Sequence, residues 1–395
     1  MFKSAISRKC KLTKCLCIIQ YRNLSQASTK IKENFFSNKV EAWQIHSYGD
    51  LNELKLSSTH MPIITRPTQL IVQVKAASIN PIDVAMIKGY GSTVLNIMRQ
   101  AKKLNTGIEF PLTLGRDFSG VVVAKGHGIP NDNIQVGDQV WGVVPVEQQG
   151  CHASHVIVDE NLVAKKPNNL SHIDASSILY SGLTAWSSLW ITGGLCYKTA
   201  IPSRQNNRIL ILGGSGGVGT MAIQLAKAWN QQVVTTCSSD AVSLLQNLGA
   251  DEVIDYKESK CDDKINQEGP YDIILDCCNQ GTDEIKRKGY LHSTYITLNS
   301  PLLKNIDEHG LVFGAIKNIG DLLKYNIPVK DNKSFVKWGF FAPSSTGIDM
   351  IQKLVETNAI KPVVKKVYEF DDLPQAYQRV SQGHLRGKIV INMKN

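Results

Sequence analysis

Residues 208–229 read RILILGGSGGVGTMAIQLAKAW, and the fold of the chain turns on how that stretch is read. Arg208 to Leu212 form a short apolar run suited to a buried strand. Seven residues follow, five of them glycine. From Thr220 onward Met221, Ile223, Leu225, Ala226 and Trp229 recur at helical spacing, which predicts a helix over 220–229. Gly214, Gly216 and Gly219 fit G-x-G-x-x-G between that strand and that helix. The pattern serves a tight turn, close approach of backbone to a pyrophosphate, and close packing of helix on strand. Free N–H groups and the helix dipole then meet the phosphates. Glycine loses much conformational entropy on folding, so an ordinary connection has no use for so many. Gly214, Ser215, Gly216, Gly217, Val218 and Gly219 are the expected phosphate cradle.

Working outward, the downstream chain alternates strands and helices. A strand at Val233–Thr236, a helix from Ala241 to Leu248 capped by Asp240 and Gly249, and strands at 252–255, 271–276 and 293–298 are expected. That is the β-α-β progression of a doubly wound parallel sheet. Upstream, from Val40 to Trp141, short apolar runs lie between glycine turns, the grammar of a β-rich domain. The stretch up to Phe110 and the stretch 299–335 read as irregular loops. The tail predicts a helix at 347–357, a strand at 363–368, a helix at 373–381 and a final strand at 388–392.

The formal charge of +10 over 395 residues invites a polyanion, but its location argues otherwise. Lys3, Arg8, Lys9, Lys11, Lys14, Arg22, Lys30 and Lys32 supply eight of those charges with no acid among them, leaving +2 for residues 33–395. Nucleic-acid binding is therefore not implied. The basic, serine-containing, acid-free leader has the composition of a mitochondrial transit peptide, with a candidate cut before Ser25. The remaining cysteines form no C-x-x-C, which gives neither a zinc knuckle nor a disulfide framework. Adjacent Cys277 and Cys278 read as small buried thiols.

The ordered motifs NPID, LGRDFSGVV, VGDQVWG, SGLTAW, GGSGGVG, LGADEVIDY and HLRGKIVI, from about residue 40 to the end, resemble the medium-chain dehydrogenase/reductase superfamily. More narrowly they resemble its zinc-free quinone-oxidoreductase branch. The resemblance implies an α/β fold: a GroES-like β-rich catalytic domain over 39–175, a Rossmann dinucleotide-binding domain over 176–345, and a segment 346–395 returning to the first. Residues 1–38 would be transit peptide and linker. It also implies a homodimer, and some relatives suggest a reticulon-family membrane partner.

Zinc enzymes of the superfamily carry a Cys near Asn80 and a His-Glu where this chain has Arg116-Asp117, so no metal is expected. The end of the second strand, Cys237-Ser238-Ser239, lacks the acid that grips an NAD ribose, which favours NADPH. Asp240 is the competing ribose acid. The resemblance implies that Ser238 and Tyr256 lie at the adenosine, that His384, Leu385 and Arg386 lie against the cofactor, and that Leu298 and Phe341 wall the pocket. Asn80 is the one catalytic candidate, as a donor to a substrate carbonyl. Asp83, Arg116 and Asp117 read as turn-fixing residues. No tyrosine follows NPID, since Val84 and Ala85 stand there. The expected function is a mitochondrial matrix NADPH oxidoreductase for a quinone, ubiquinone or its precursors being the guess from compartment. A 2-enoyl thioester reductase and an NADPH-binding interaction protein are the alternatives.

Overall fold

The computed structural model describes residues 39–102, 109–130, 132–198, 207–327 and 334–393. The leader and its expected cleavage site lie outside the described residues. Among those described, three sheets form.

Six parallel strands build one sheet: β9 (Arg208–Leu212), β10 (Gln232–Cys237), β11 (Glu252–Asp255), β12 (Tyr271–Asp276), β13 (His292–Thr297) and β14 (Phe335–Trp338). Their order is β11-β10-β9-β12-β13-β14. β9 is paired on both sides, by β10 with Ile209 opposite Val233 and by β12 with Ile209 opposite Ile273. Its apolar run is buried on both faces, as a central parallel strand must be. Strand order reverses between β9 and β12, and in such sheets ligands bind at the carboxyl ends beside that point.

The second sheet is mainly antiparallel and runs β15-β16-β3-β5-β6-β8, with β7 also on β3. Its long central strand β3 (Gln69–Ile79) pairs with β5 (Asp117–Lys125) and β7 (His155–Asp159). β6 is Gln139–Val143 and β8 is Val163–Lys165. The last strands of the chain, β15 (Val364–Glu369) and β16 (Lys388–Asn392), complete it, with Ile389 opposite Ile79. β1 (Lys39–Ile45), β2 (Lys55–His60) and β4 (Leu112–Thr113) form a small third sheet.

Several expectations are corrected. The helix after β9 spans Gly217–Ala228, starting three residues inside the glycine run, because Gly217 and Gly219 accept helical backbone and the turn needs only 213–216. Asp240 caps no helix. A 3-10 turn over Ser239–Ala241 precedes the helix Val242–Asn247, and the Asp240 carboxylate is engaged elsewhere. The stretch before Phe110 is not loop but two helices, Pro81–Ile87 and Ser92–Ala101. Residues 302–326 are helical as well. Cys278 is exposed and Cys277 only partly covered, since both lie past the end of β12.

Candidate functional site

The glycine turn leaves β9 with Gly213 at φ 79, a left-handed conformation that suits glycine. The Gly213 and Gly214 amides donate to Thr236 Oγ1 and Thr236 O, at 3.1 and 2.9 Å, tying the turn to β10. A Cβ on Gly214 would lie 2.1 Å from Thr235 Oγ1, and one on Gly219 would lie 2.5 Å from Gly213 O. These two glycines therefore serve close packing. Gly216 differs: the nearest atom to an added Cβ is Gly213 O at 3.7 Å, so its outer side is open. The first turn of the helix Gly217–Ala228 leaves its N–H groups without intrahelical partners, beside that open side. A backbone cradle with positive dipole and no side chain in the way fits a pyrophosphate.

At the end of β10, Ser238 is buried and its hydroxyl donates to Asp240 Oδ1 at 2.5 Å. Arg386, reaching in from the C-terminal turn, donates to Ser238 Oγ and to both Asp240 oxygens, Nη2 at 3.0 Å and Nε at 3.1 Å. Arg386 thereby holds the Asp240 carboxyl well below its usual range, with the Ser238 hydroxyl adding to the effect. An acid thus does stand just past the end of β10, but a guanidinium covers it. Tyr256 is exposed just past β11, its amide bonded to Cys237 O at 2.9 Å. His384, in left-handed backbone at φ 51, gives its carbonyl to Arg386 Nη1 at 3.2 Å. The Gly387 amide donates to Ser215 O at 2.8 Å, so the turn 384–387 is clamped onto the glycine loop. Ser215 is buried in that clamp, Val218 is half-buried in the first helical turn, and Leu385 packs on the core.

Beneath the loop runs a buried polar network. Lys388 passes Gly217, where a Cβ would meet its Cδ at 2.9 Å. Its ammonium donates to Asn80 Oδ1 and lies 3.9 Å from Asp117 Oδ2. Burial pushes the Lys388 pKa down, against the pull of Asp117 and Asp83. Asn80 Nδ2 donates to Asp117 Oδ1 at 2.9 Å, and Ser78 Oγ donates to the same oxygen. Both ends of the Asn80 amide are thus engaged by protein. Its backbone N–H is also taken, by Asp83 Oδ2 at 2.8 Å, which starts the helix Pro81–Ile87. Asp83 Oδ1 accepts from Gly115 N–H at 2.9 Å and faces Arg116 Nε at 3.5 Å, both side chains fully buried.

An aromatic wall faces this network. Tyr180 and Phe341 stack with centroids 4.3 Å apart, and the Tyr180 amide donates to Asp117 Oδ2 at 3.2 Å. The Tyr180 hydroxyl has no hydrogen-bond partner among the described residues. Burial raises its pKa, with the negative potential of Asp83 adding to that and Tyr90 contributing, so it is a neutral donor at physiological pH. Leu298 is half-buried against the core at the carboxyl end of β13. Tyr180, Tyr90 and the link from Lys388 to Asn80 escaped the sequence reading, because such contacts join segments up to some 300 residues apart; the Lys388–Asn80 bond spans 308. Among the described residues no group of three or more His, Cys, Asp or Glu could hold a metal.

The second sheet is also sensitive to acid. His152, fully buried, faces Ser78 O through Nε2 at 3.1 Å and Tyr377 Oη through Nδ1 at 2.9 Å. A carbonyl accepts only, so Nε2 carries the proton and Nδ1 accepts from the tyrosine. Burial lowers the His152 pKa below 6.5. The unfolded chain then binds a proton that the folded one refuses, so stability falls as pH drops below about 6.5, by up to ~1.4 kcal/mol per unit. We expect a melting temperature flat from about pH 7 to 8 and falling toward about pH 5.5, with His152→Gln flattening the acid limb relative to its own maximum.

The chain matches two family models: an alcohol dehydrogenase GroES-like domain over residues 66–168 and a zinc-binding dehydrogenase over 248–391. It is 45% identical over 365 residues to a Drosophila melanogaster protein named NAD(P)H oxidoreductase RTN4IP1, mitochondrial, covering 91% of this chain and 87% of that one. It is 32% identical over 367 residues to a Caenorhabditis elegans protein named reticulon-4-interacting protein 1, mitochondrial, covering 91% and 98%. A solved quinone oxidoreductase from Coxiella burnetii superposes with a TM-score of 0.71 at 26% identity, covering 90% of this chain and all of that one.

Proposed function

The chain belongs to the medium-chain dehydrogenase/reductase superfamily, among its NAD(P)H oxidoreductases, and on that premise we propose a zinc-independent, NADPH-dependent quinone reductase of the mitochondrial matrix. The observation that carries the reading is the Tyr180–Phe341 stack beside the buried Lys388–Asn80–Asp117 network, a flat apolar wall with one unpartnered hydroxyl. Such a wall suits a planar ring and excludes water from it. When bound, the reduced nicotinamide supplies a hydride. The protein's share is to hold and to protonate. The loop 214–219 holds the pyrophosphate through backbone N–H groups. Arg386 and Ser238 hold a 2′-phosphate, Arg386 first neutralising Asp240. Tyr256, His384 and Leu385 line the path between those ends, and Leu298 with Phe341 walls the pocket at the other side of the loop. Tyr180 holds a proton on its oxygen for the ring oxygen that gains negative charge. Asn80, with both amide ends engaged, sets the position of Lys388 and Asp117 and polarises the pocket floor.

The domain limits 39–175, 176–345 and 346–395 go with this reading, as do a transit peptide within 1–38 and a homodimer through the dinucleotide domain. Ubiquinone or its ring-bearing precursors are the matrix quinones to try first. A 2-enoyl thioester is the less favoured substrate, since Val84 and Ala85 stand where related reductases place a donor tyrosine. The name of the nematode relative is what speaks for a reticulon-type partner.

Cofactor choice and turnover are tested together. Steady-state oxidation of NADPH and of NADH by a short-chain quinone should favour NADPH in the wild type. Losing a charge-assisted contact of about 1.5–3 kcal/mol, Arg386→Ala should raise the KM for NADPH roughly 10- to 100-fold and leave that for NADH nearly unchanged. Equal loss with both cofactors would remove Arg386 from the 2′-phosphate. No turnover of any quinone by the wild type would reject the substrate.

A further inference from the structure

Residues Leu302–Asn326 fold as two arms separated at Gly310, which sits at φ 76. The second arm returns across the first: a Cβ on Gly314 would lie 2.6 Å from Asn305 O and from Ile306 Cα. Within that contact Asn305 Nδ2 donates to Asn318 Oδ1 at 2.7 Å. The first arm is fastened to the helix Ser92–Ala101. Asp307 accepts from the Gly91 and Thr93 amides at 2.6 and 3.0 Å, capping the helix Ser92–Ala101. The second arm is therefore the outer layer, with Gly314 and Asn318 facing inward.

Its outer face is apolar. Val312, Ile316, Ile319, Leu323 and Ile327 follow one another at three- and four-residue steps, each between 57% and 67% exposed, and Phe313 borders them at 73%. A surface helix normally turns such a stripe to the core. From 311 to 327 the exposed charged side chains are Lys317 and Lys324 alone, both on one flank of the stripe. At the far end the Lys324 and Lys286 ammonium groups stand 5.2 and 5.1 Å from the centre of the Tyr325 ring, whose hydroxyl donates to Asp283. None of these three lysines pairs with a carboxylate among the described residues.

We propose that this outer arm docks flat on an anionic lipid surface, the stripe entering the headgroup–acyl boundary and Lys317 and Lys324 meeting phosphates. An apolar stripe flanked by cations is the signature of a helix that lies in the interface. No helix among the described residues is long and apolar enough to cross a membrane. A second copy of the chain, packed stripe to stripe, would bring the Lys317 and Lys324 flanks together with no exposed acid within 311–327 to answer them; anionic headgroups answer them directly. The docking does not need the quinone reading. If that reading holds, the arm brings the protein to the layer in which an isoprenoid-tailed quinone dissolves.

The test is flotation of the full chain with phosphatidylcholine vesicles with and without phosphatidylglycerol, together with hydrogen exchange over 311–327. The wild type should float with the anionic vesicles and gain protection in the arm. The double variants Ile316→Ser/Ile319→Ser and Lys317→Glu/Lys324→Glu should each lose about tenfold or more in partitioning while keeping the wild-type melting temperature and turnover of a water-soluble acceptor. The basic leader is common to all, so equal flotation without protection of the arm would assign binding to the leader and overturn the proposal. Arm protection that appears with protein concentration rather than with vesicles, and a dimer lost in the isoleucine variant, would overturn it in favour of a second copy.

Discussion

Replacing Gly216 with valine is expected to leave the fold standing and to weaken nicotinamide dinucleotide binding by two orders of magnitude or more. Gly216 lies at φ −74 and ψ 171, extended backbone that a β-branched residue adopts without strain. An added Cβ meets nothing closer than Gly213 O at 3.7 Å, an ordinary van der Waals contact. The space it fills is the one through which backbone approaches a pyrophosphate at the helix N-terminus. Melting temperature without cofactor should stay within a degree or so, while the rise given by saturating NADPH should vanish. Gly219→Ala separates the two effects. Its Cβ would collide with Gly213 O and Gly214 Cα at 2.5 and 2.7 Å, so that variant should lose stability as well as affinity. A Gly216→Val protein that keeps its NADPH-induced shift would remove the glycine turn from cofactor binding.

The second large effect lies in the β-rich half. Asp83→Ala is expected to cost about 3–5 kcal/mol, more than any surface ion pair here, because it strands Arg116 as a buried charge. Arg116 is wholly inaccessible; Nη1 is spent on Pro145 O and Gln148 O at 2.9 Å, and Asp83 is its carboxylate at 3.5 Å. The same Asp83 also holds the Asn80 and Gly115 amides, so one truncation frees the helix start at Pro81 and the turn before β5. A fall in melting temperature of roughly 10 °C or more is the expected reading. Lys264→Ala, which breaks an ion pair with Glu258 in which both side chains are exposed, should cost well under that. Comparable losses in the two variants would show that the buried pair is not the fastening we describe.

The parts legible beforehand were those whose cause is local. β9, the glycine turn, β11, β12, the helix Leu373–Ser381 and the last strand all follow from short-range pattern, and the structure has them at or close to the expected residues. The helices Ser92–Ala101 and Leu302–Asn326 were hidden for opposite reasons. The first takes its N-terminal cap from Asp307, more than two hundred residues away. The second carries apolar residues on the face it exposes, so its periodicity does not mark a buried side. Asp240 was misjudged as a helix cap because the arginine that claims its carboxylate arrives from residue 386. Tyr180 carried no signal, and Lys388 was only one letter of the HLRGKIVI motif: a tyrosine in a helix and a lysine opening a strand acquire their roles only when β16 joins β3 and lays Lys388 beneath the glycine loop.

The central claim is hydride transfer from NADPH to a quinone in the cleft beside Tyr180. It is tested most directly by mixing excess full-length protein with NADPH and a short-chain ubiquinone analogue in a stopped-flow instrument and following the absorbance of the reduced nicotinamide through one turnover. Rapid single-exponential loss with NADPH, much slower loss with NADH, and a slowed transfer in Tyr180→Phe with unchanged cofactor affinity are the predicted results. Tight NADPH binding with no loss of absorbance for any quinone would contradict the account.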